Sequence, residues 1–433
     1  MSFMLIPELY NIFKRHPVIT TDSRVCPKDS IFFALKGPTF NGNKYAEEAI
    51  CKGCSYAVVD EWADNKTRPE HIIIVDDVLG ALQKLANYHR KTFKTPVIAI
   101  TGTNGKTTTK ELLAAVLSKE FKVVYTQGNF NNHIGVPLTL LSMTKEHEIA
   151  VVEMGANHAG EIKELCEIAE PNYGLITNVG VAHLEGFGSF ENVVKTKTEL
   201  FQYLEKNNGK AFVNVAQKEL LNLSPTIDKI DYGQGDNSLF VSGNVIANYP
   251  SLEFEWSFFE KTHQVKTHLV GAYNLENALA AIAIGSFFGV NFEFINEAIE
   301  SYIPNNSRSQ FKKTERNTLI IDAYNANPTS MKAAVNNFVE YPLSPKALII
   351  GEMKELGGVT ETEHQKLLDL IKAHSFNHVF LVGKSFEKLD TDFPIYENVG
   401  GLIQKLISDP LSDFCILIKG SNGVQLDKVV TYL

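Results

Sequence analysis

Cysteine is scarce: five residues, Cys26, Cys51, Cys54, Cys166 and Cys415, are scattered over 433 positions. An odd and dispersed count excludes a disulfide framework. Cys51-Lys52-Gly53-Cys54 has the spacing of a redox or zinc half-site, but no second pair or nearby histidine completes a metal set, so these cysteines read as structural. Positive charge is also short, with 41 Lys and Arg against 50 Asp and Glu and a net charge of −9. This balance argues against nucleic acid as a partner, and an anionic ligand must be held by a local site. No apolar run reaches the ~18–20 residues of a membrane span. The most hydrophobic stretch, Ala278 to Val290, is flanked by Glu276, Asn291 and Glu293 and reads as a buried helix. Met1 to Pro17 lacks the cationic start, apolar run and small-residue cleavage site of a secretory signal, so the expected location is cytoplasmic.

An ordinary globular composition remains, 44% apolar and 21% charged. At roughly 100–200 residues per domain, the length predicts two to four domains. The first ~90 residues hold short apolar runs, Ser30 to Leu35, Tyr56 to Val59 and Ile72 to Val75, with helices expected at Tyr45 to Lys52 and Leu79 to Thr92. After Lys94-Thr95-Pro96, a β-rich run at Val97 to Thr101 leads through a glycine loop into a helix with Leu112, Leu113, Val116 and Leu117 on one face. Further runs at Lys122 to Thr126, Glu148 to Met154, Gly174 to Asn178 and Lys210 to Val215 predict a mostly parallel sheet covered by helices. Alternating segments between Ser238 and Val270 suit antiparallel strands, expected as a side sheet. Two helices, Asn274 to Phe288 and Phe292 to Tyr302, then lead into a polar linker at Ile303 to Ser307. Beyond it, strands at Thr318 to Ile321, Ala347 to Ile350, Val379 to Val382 and Cys415 to Ile418 form a second α/β pattern.

Gly102-Thr103-Asn104-Gly105-Lys106-Thr107-Thr108 lies between a strand and a helix, where backbone N–H groups and the helix dipole favour phosphate. The pattern is a shortened phosphate loop, with Lys106 suited to the β- and γ-phosphates and Thr107 to Mg²⁺. Glu153 ends an apolar strand and so sits at the sheet edge where ligands of open α/β folds collect. Asn178 to Glu185 brings His183 to the same edge, a candidate second-metal ligand. Lys197 falls on a helix with charged neighbours and, from the sequence pattern alone, reads as part of a solvated face. Asp322-Ala323-Tyr324-Asn325-Ala326-Asn327-Pro328 closes a strand and opens a helix at Pro328, and its amides and carboxylate suit ribose hydroxyls or a peptide-like ligand.

Taken in order, these segments resemble the Mur ligase family over nearly the whole chain. The resemblance extends to Thr21-Asp22-Ser23-Arg24, Phe33 to Gly37, Gly128 to Pro137 with its paired Asn131-Asn132, Glu153 to Ala156, Ala182 to Gly188, Asn274 to Ala281, Gly351 to Gly357 and Lys419-Gly420-Ser421. Asn131-Asn132 and Tyr324 to Pro328 look like the branch that adds D-alanyl-D-alanine to a UDP-N-acetylmuramoyl-tripeptide in peptidoglycan precursor synthesis, a process tied to cell shape and division. The resemblance implies an α/β fold of three domains: residues 1–94 for the UDP-linked substrate, 95–304 as a central P-loop ATPase domain of mostly parallel sheet, and 305–433 as a Rossmann-like ligase domain. It implies ATP and two Mg²⁺ ions, with Thr107 and Glu153 serving one and His183 and a carbamylated Lys197 the other. Asn277, Arg308 and Asp322 match positions that contact adenine, γ-phosphate and ribose. Ser23, Arg24, Asn131, Asn132, Asn325 and Asn327 are the expected substrate contacts, and a monomer is expected. Tyr273, Ile321 and Asn422 depart from residues common in the family at those positions. A sister ligase adding one amino acid, and a non-catalytic ATP-binding regulator, are the alternative readings.

Overall fold

The computed structural model describes residues 3–62, 69–259, 261–304 and 308–433. Residues 305–307 of the expected linker lie outside the described residues.

Three larger sheets follow one another along the chain, beside a two-stranded hairpin of Lys36–Gly37 and Phe40–Asn41. The first is parallel, with strands Ile19–Thr20, Ile31–Phe33, Tyr56–Val59 and Ile72–Ile74 in chain order. Ile31–Phe33 inside it and Ile72–Ile74 at its edge are apolar and buried at every position because both faces are covered. The helix Val78–Arg90 starts at Asp77, whose carboxylate accepts from the N–H groups of Leu79 and Gly80. The far end of this helix is fastened to the next unit. Arg90 Nε donates to Ala169 O (3.0 Å), Asn87 Nδ2 to Glu167 O (3.1 Å), and His89 Nε2 meets Met143 O (2.9 Å).

The second sheet has nine strands and contains the phosphate loop. Val97–Thr101 lies between Tyr173–Ile176 and Ile149–Glu153, and the pairing is parallel on both sides. The segments expected as a side sheet continue this same sheet. Val241–Ala247 pairs in parallel with Asp228–Gln234, and only Glu253–Phe258 and Lys261–Lys266 turn antiparallel. The continuation is held because Phe254 and Trp256 face inward and join the core beneath the helix Asn274–Phe287. The sequence pattern does not announce Asp228–Gln234: three of the four residues Asp228-Lys229-Ile230-Asp231 are charged, and only Tyr232 and Gly233 are buried.

The third sheet has six strands, with Cys415–Lys419 between Thr318–Asp322 and Lys346–Gly351. All pair in parallel except the edge strand Gln310–Lys313. Ile321 is one of its buried strand residues. No described helix is long and apolar enough to cross a membrane.

The carboxyl ends of the second and third sheets face a shared cleft. Polar contacts close its side, among them Asn104 with Asn327, Val181 N–H to Thr329 Oγ1 (3.1 Å), and Glu185 N–H to Glu355 O (3.2 Å).

Candidate active site

A cavity of about 620 Å³ opens in this cleft. Thr103 to Thr108, Glu153 and His183 line it from the central unit, and Arg308, Asp322, Tyr324 and Glu355 from the C-terminal one.

The phosphate loop has the backbone that close approach to an anion demands. Gly105 has φ +80, and a Cβ there would lie 2.3 Å from Asn277 Oδ1. Gly102, also left-handed at φ +140, lies behind the lining against Thr177. Asn178 anchors the loop by accepting from Thr103 N–H (2.9 Å) and Asn104 N–H (3.0 Å). Lys106 folds its ammonium over the carbonyls of Gly102 (2.8 Å) and Thr103 (3.0 Å). Desolvation, with the Arg308 charge adding to it, pushes that ammonium down to about 8.

Glu153 is 1% exposed. Its Oε1 accepts from Thr107 Oγ1 (3.2 Å) and Asn131 Nδ2 (2.7 Å), while Oε2 is buried without a hydrogen-bond partner among the described residues. A buried, unsatisfied carboxylate oxygen beside a hydroxyl fits a hard divalent cation. No group of three or more His, Cys, Asp or Glu gathers among the described residues. The donor set thus suits Mg²⁺, which keeps several waters and takes phosphate oxygens alongside one or two carboxylates.

Lys197 corrects the solvated-face reading. On the helix Phe190–Lys206 it is 2% exposed, behind the cavity wall, with Nζ 3.5 Å from Ala156 O and 5.5 Å from the Phe187 ring. Burial, then the nearby Lys106 charge, pushes it down to about 7. Sequence pattern missed this because the neighbours Lys195 and Glu199 are charged, whereas burial follows the face carrying Val193, Leu200 and Leu204.

Other expected residues are distributed unevenly. Asn277 is engaged by Thr109 Oγ1 (3.1 Å) and Asn274 Oδ1 (2.9 Å). Arg308 stacks over Tyr324, 3.9 Å from the ring centroid. Asp322 Oδ2 accepts from the buried Lys419 (2.6 Å), which also donates to Asn325 O (3.2 Å). Asn132 lines the cavity while its Oδ1 caps the helix Gly135–Leu141, accepting from Gly135 N–H (2.9 Å). Asn325 lines the cavity, but Asn327 does not. The Asn327 side chain caps the helix Pro328–Val339 and pairs reciprocally with Asn104, at 2.8 and 3.4 Å. Ser23 and Arg24 lie outside this cavity, with Arg24 paired to Asp22 (2.7 Å) at the surface of the first unit.

Of the three departures, Tyr273 is half-buried and lines the cavity with its hydroxyl 3.2 Å from Ser309 Oγ, and desolvation pushes its phenol up. Asn422 lines the cavity.

Lys419 and Lys110 were not singled out as site residues. Lys419 ends the strand Cys-Ile-Leu-Ile-Lys as Glu153 ends its own, and that shared position was the available signal. Lys110 is fully buried one turn after Lys106 and donates to Thr126 O (2.7 Å) and Gly128 O (3.3 Å), holding the loop that carries Asn131.

A phosphate loop, an acid at the neighbouring strand end and a second α/β unit closing over both define a nucleotide-dependent α/β enzyme of the P-loop kind. The Mur ligase middle domain profile matches residues 100–285, and the Mur ligase, glutamate ligase domain profile matches residues 307–422. The chain belongs to the Mur ligase family. It is 34% identical to the UDP-N-acetylmuramoyl-tripeptide--D-alanyl-D-alanine ligase of Bacillus subtilis (strain 168), over 95% of this chain and 92% of that one. The enzyme of the same name from Escherichia coli (strain K12) is 34% identical over 96% and 93%. Among solved structures, MurF from Acinetobacter baumannii aligns with a TM-score of 0.84 at 30% identity, covering 95% and 92%. MurF from Thermotoga maritima in complex with ADP aligns with a TM-score of 0.84 at 25% identity, covering 98% and 97%.

Proposed function

We infer that the chain is an ATP-dependent amide ligase that joins D-alanyl-D-alanine to a UDP-N-acetylmuramoyl-tripeptide in peptidoglycan precursor synthesis. The observation that carries this reading is end-to-end similarity to ligases of that name, joined to a cavity where the phosphate loop, Glu153 and the C-terminal unit meet.

In the reaction, a carboxylate oxygen of the tripeptide attacks the γ-phosphorus of ATP, the bond to ADP breaks and an acyl phosphate forms. The dipeptide amine then attacks the acyl carbon and loses a proton, and the tetrahedral adduct expels phosphate to leave the amide. The loop N–H groups and Lys106 hold the phosphates, and Arg308 meets the γ-phosphate from the opposite wall. Asn277 and Asp322 take the adenine and ribose. Ser23 and Arg24 of the first unit hold the UDP end, and Asn131, Asn132 and Asn325 border the peptide path. Asn327 acts on that path indirectly, by seating the C-terminal unit against Asn104. Mg²⁺ on Thr107 and Glu153, and a second ion on His183 and Lys197, would offset the charge that builds where two anions meet. Burial leaves much of Lys197 as neutral amine near neutral pH, the form that adds to carbon dioxide with loss of a proton to give an anionic carbamate. With the domain borders proposed from the sequence, 1–94, 95–304 and 305–433, the UDP end falls to the first unit, while the nucleotide and the peptide path are shared between the second and the third. On this reading the chain acts as a monomer in the cytoplasm, where ATP and UDP-linked precursors would meet.

The experiment is phosphate release from MgATP with a UDP-muramoyl-tripeptide, with and without D-alanyl-D-alanine, and with single amino acids as controls. The expected result is release only when acceptor and dipeptide are both present, with a product heavier by the dipeptide less water. Amide formation with a single amino acid and not the dipeptide would overturn the assignment.

A further inference from the structure

The loop 352–357 leaves the C-terminal sheet after the strand Lys346–Gly351 and reaches the central unit. Two bonds set its path: Met353 N–H donates to Nε2 of the buried His364 (2.9 Å), and Lys354 N–H donates to Ser421 Oγ (3.1 Å). Glu355 then takes φ +63, and His183, facing it across the cleft, takes φ +51. Such a backbone is strained for a non-glycine residue and tends to be kept where function needs it. Here two such residues meet. Glu185 N–H donates to Glu355 O (3.2 Å), and a Cβ on Gly357 would come within 3.3 Å of Glu185 Cα, so the two main chains are in close register. The Glu355 carboxylate is paired in charge with Nδ1 of His183, a buried nitrogen with no other polar partner among the described residues and no aligned hydrogen bond in this structure, and both side chains line the cavity.

An imidazole that donates from Nδ1 to a carboxylate keeps its lone pair on Nε2, and its ring is held in one plane. We propose that Glu355 is a positioning residue which, from the C-terminal unit, fixes the tautomer and orientation of His183 for binding a divalent cation. The proposal rests on the reading of His183 as a metal ligand. It makes this cation site complete only when the C-terminal unit is docked, so cation binding favours docking and docking favours cation binding.

The test is Mn²⁺ binding to the full chain with a non-hydrolysable ATP analogue, followed by electron paramagnetic resonance, so that no turnover is read. Thermal melts verify that each variant is folded. Glu355→Ala is expected to weaken Mn²⁺ binding by about 10–100-fold. Glu355→Gln, which retains an acceptor oxygen, should recover most of that loss. His183→Ala should lose at least as much as Glu355→Ala, and the double variant no more than His183→Ala alone. If His183→Ala weakens binding and Glu355→Ala does not, or if the two losses add independently, Glu355 does not act through His183 and the proposal is overturned. If His183→Ala leaves Mn²⁺ binding unchanged, the ligand reading falls, and the proposal with it.

Discussion

Lys197 is the residue with the largest conflict between folding and chemistry. It is buried with one long hydrogen bond, to Ala156 O, and burial pushes it down to about 7 from the 10.5 of an unfolded lysine. Between those values the unfolded chain binds more protons, so this side chain's penalty is greatest below about pH 7 and fades as pH rises toward 10.5. Lys197→Met should therefore stabilise the ligand-free protein by roughly 2–4 kcal/mol at about pH 6, with the gain shrinking by about pH 9, while ligation is abolished. Denaturant melts at the two pH values, set beside activity, measure both halves. Carbon-13 bicarbonate should give the wild type a carbamate resonance that Lys197→Met lacks. Gly105→Ala places a Cβ against Asn277 in a left-handed backbone and should cost about 1–2 kcal/mol as well as weaken ATP binding, read by melting and by nucleotide titration.

At the scale of elements, Asn327 has two separable duties. Its Oδ1 caps the helix Pro328–Val339, and its amide pairs with Asn104 on the phosphate loop. Asn327→Ala should cost about 1 kcal/mol of stability through the cap. Asn327→Ser keeps a capping oxygen but is too short to reach Asn104, so it should restore stability while KM for ATP stays raised. The strand ends that display Glu153 and Asp322 were readable because apolar runs buried on both faces announce parallel strands and their polar terminators. Asp228–Gln234 and the continuation of the central sheet were not. Sheet membership there is decided by which neighbour offers free backbone groups, and local pattern does not encode that. The pairing of His183 with Glu355 was hidden for the same reason: the partners are far apart in the chain and meet only through docking of two sheets.

At the scale of the whole molecule, the three units are joined differently. The first is clamped to the second by a buried guanidinium, as Arg90 donates to Ala169 O (3.0 Å), Glu170 O (3.3 Å) and Asn172 Oδ1 (3.2 Å). The C-terminal unit meets the rim of the cleft on the central one through amide, hydroxyl and main-chain contacts and the His183–Glu355 pair, all of which can be exchanged for water more cheaply than a buried guanidinium. Arg90→Ala should therefore cost about 2–3 kcal/mol. It should raise KM for the UDP-linked acceptor while KM for ATP holds, as steady-state kinetics in each substrate would measure.

Arg90 also sets a scale for the acceptor. On the proposed reading, one end of that acceptor is gripped in the first unit and the other must arrive at the γ-phosphate. With the two grips locked at a fixed separation, the protein works as a caliper. A stem one residue short would stop roughly 3.5 Å short of the attack position, about twice the near-attack distance from the phosphorus. The enzyme can then count peptide residues without reading any of their side chains.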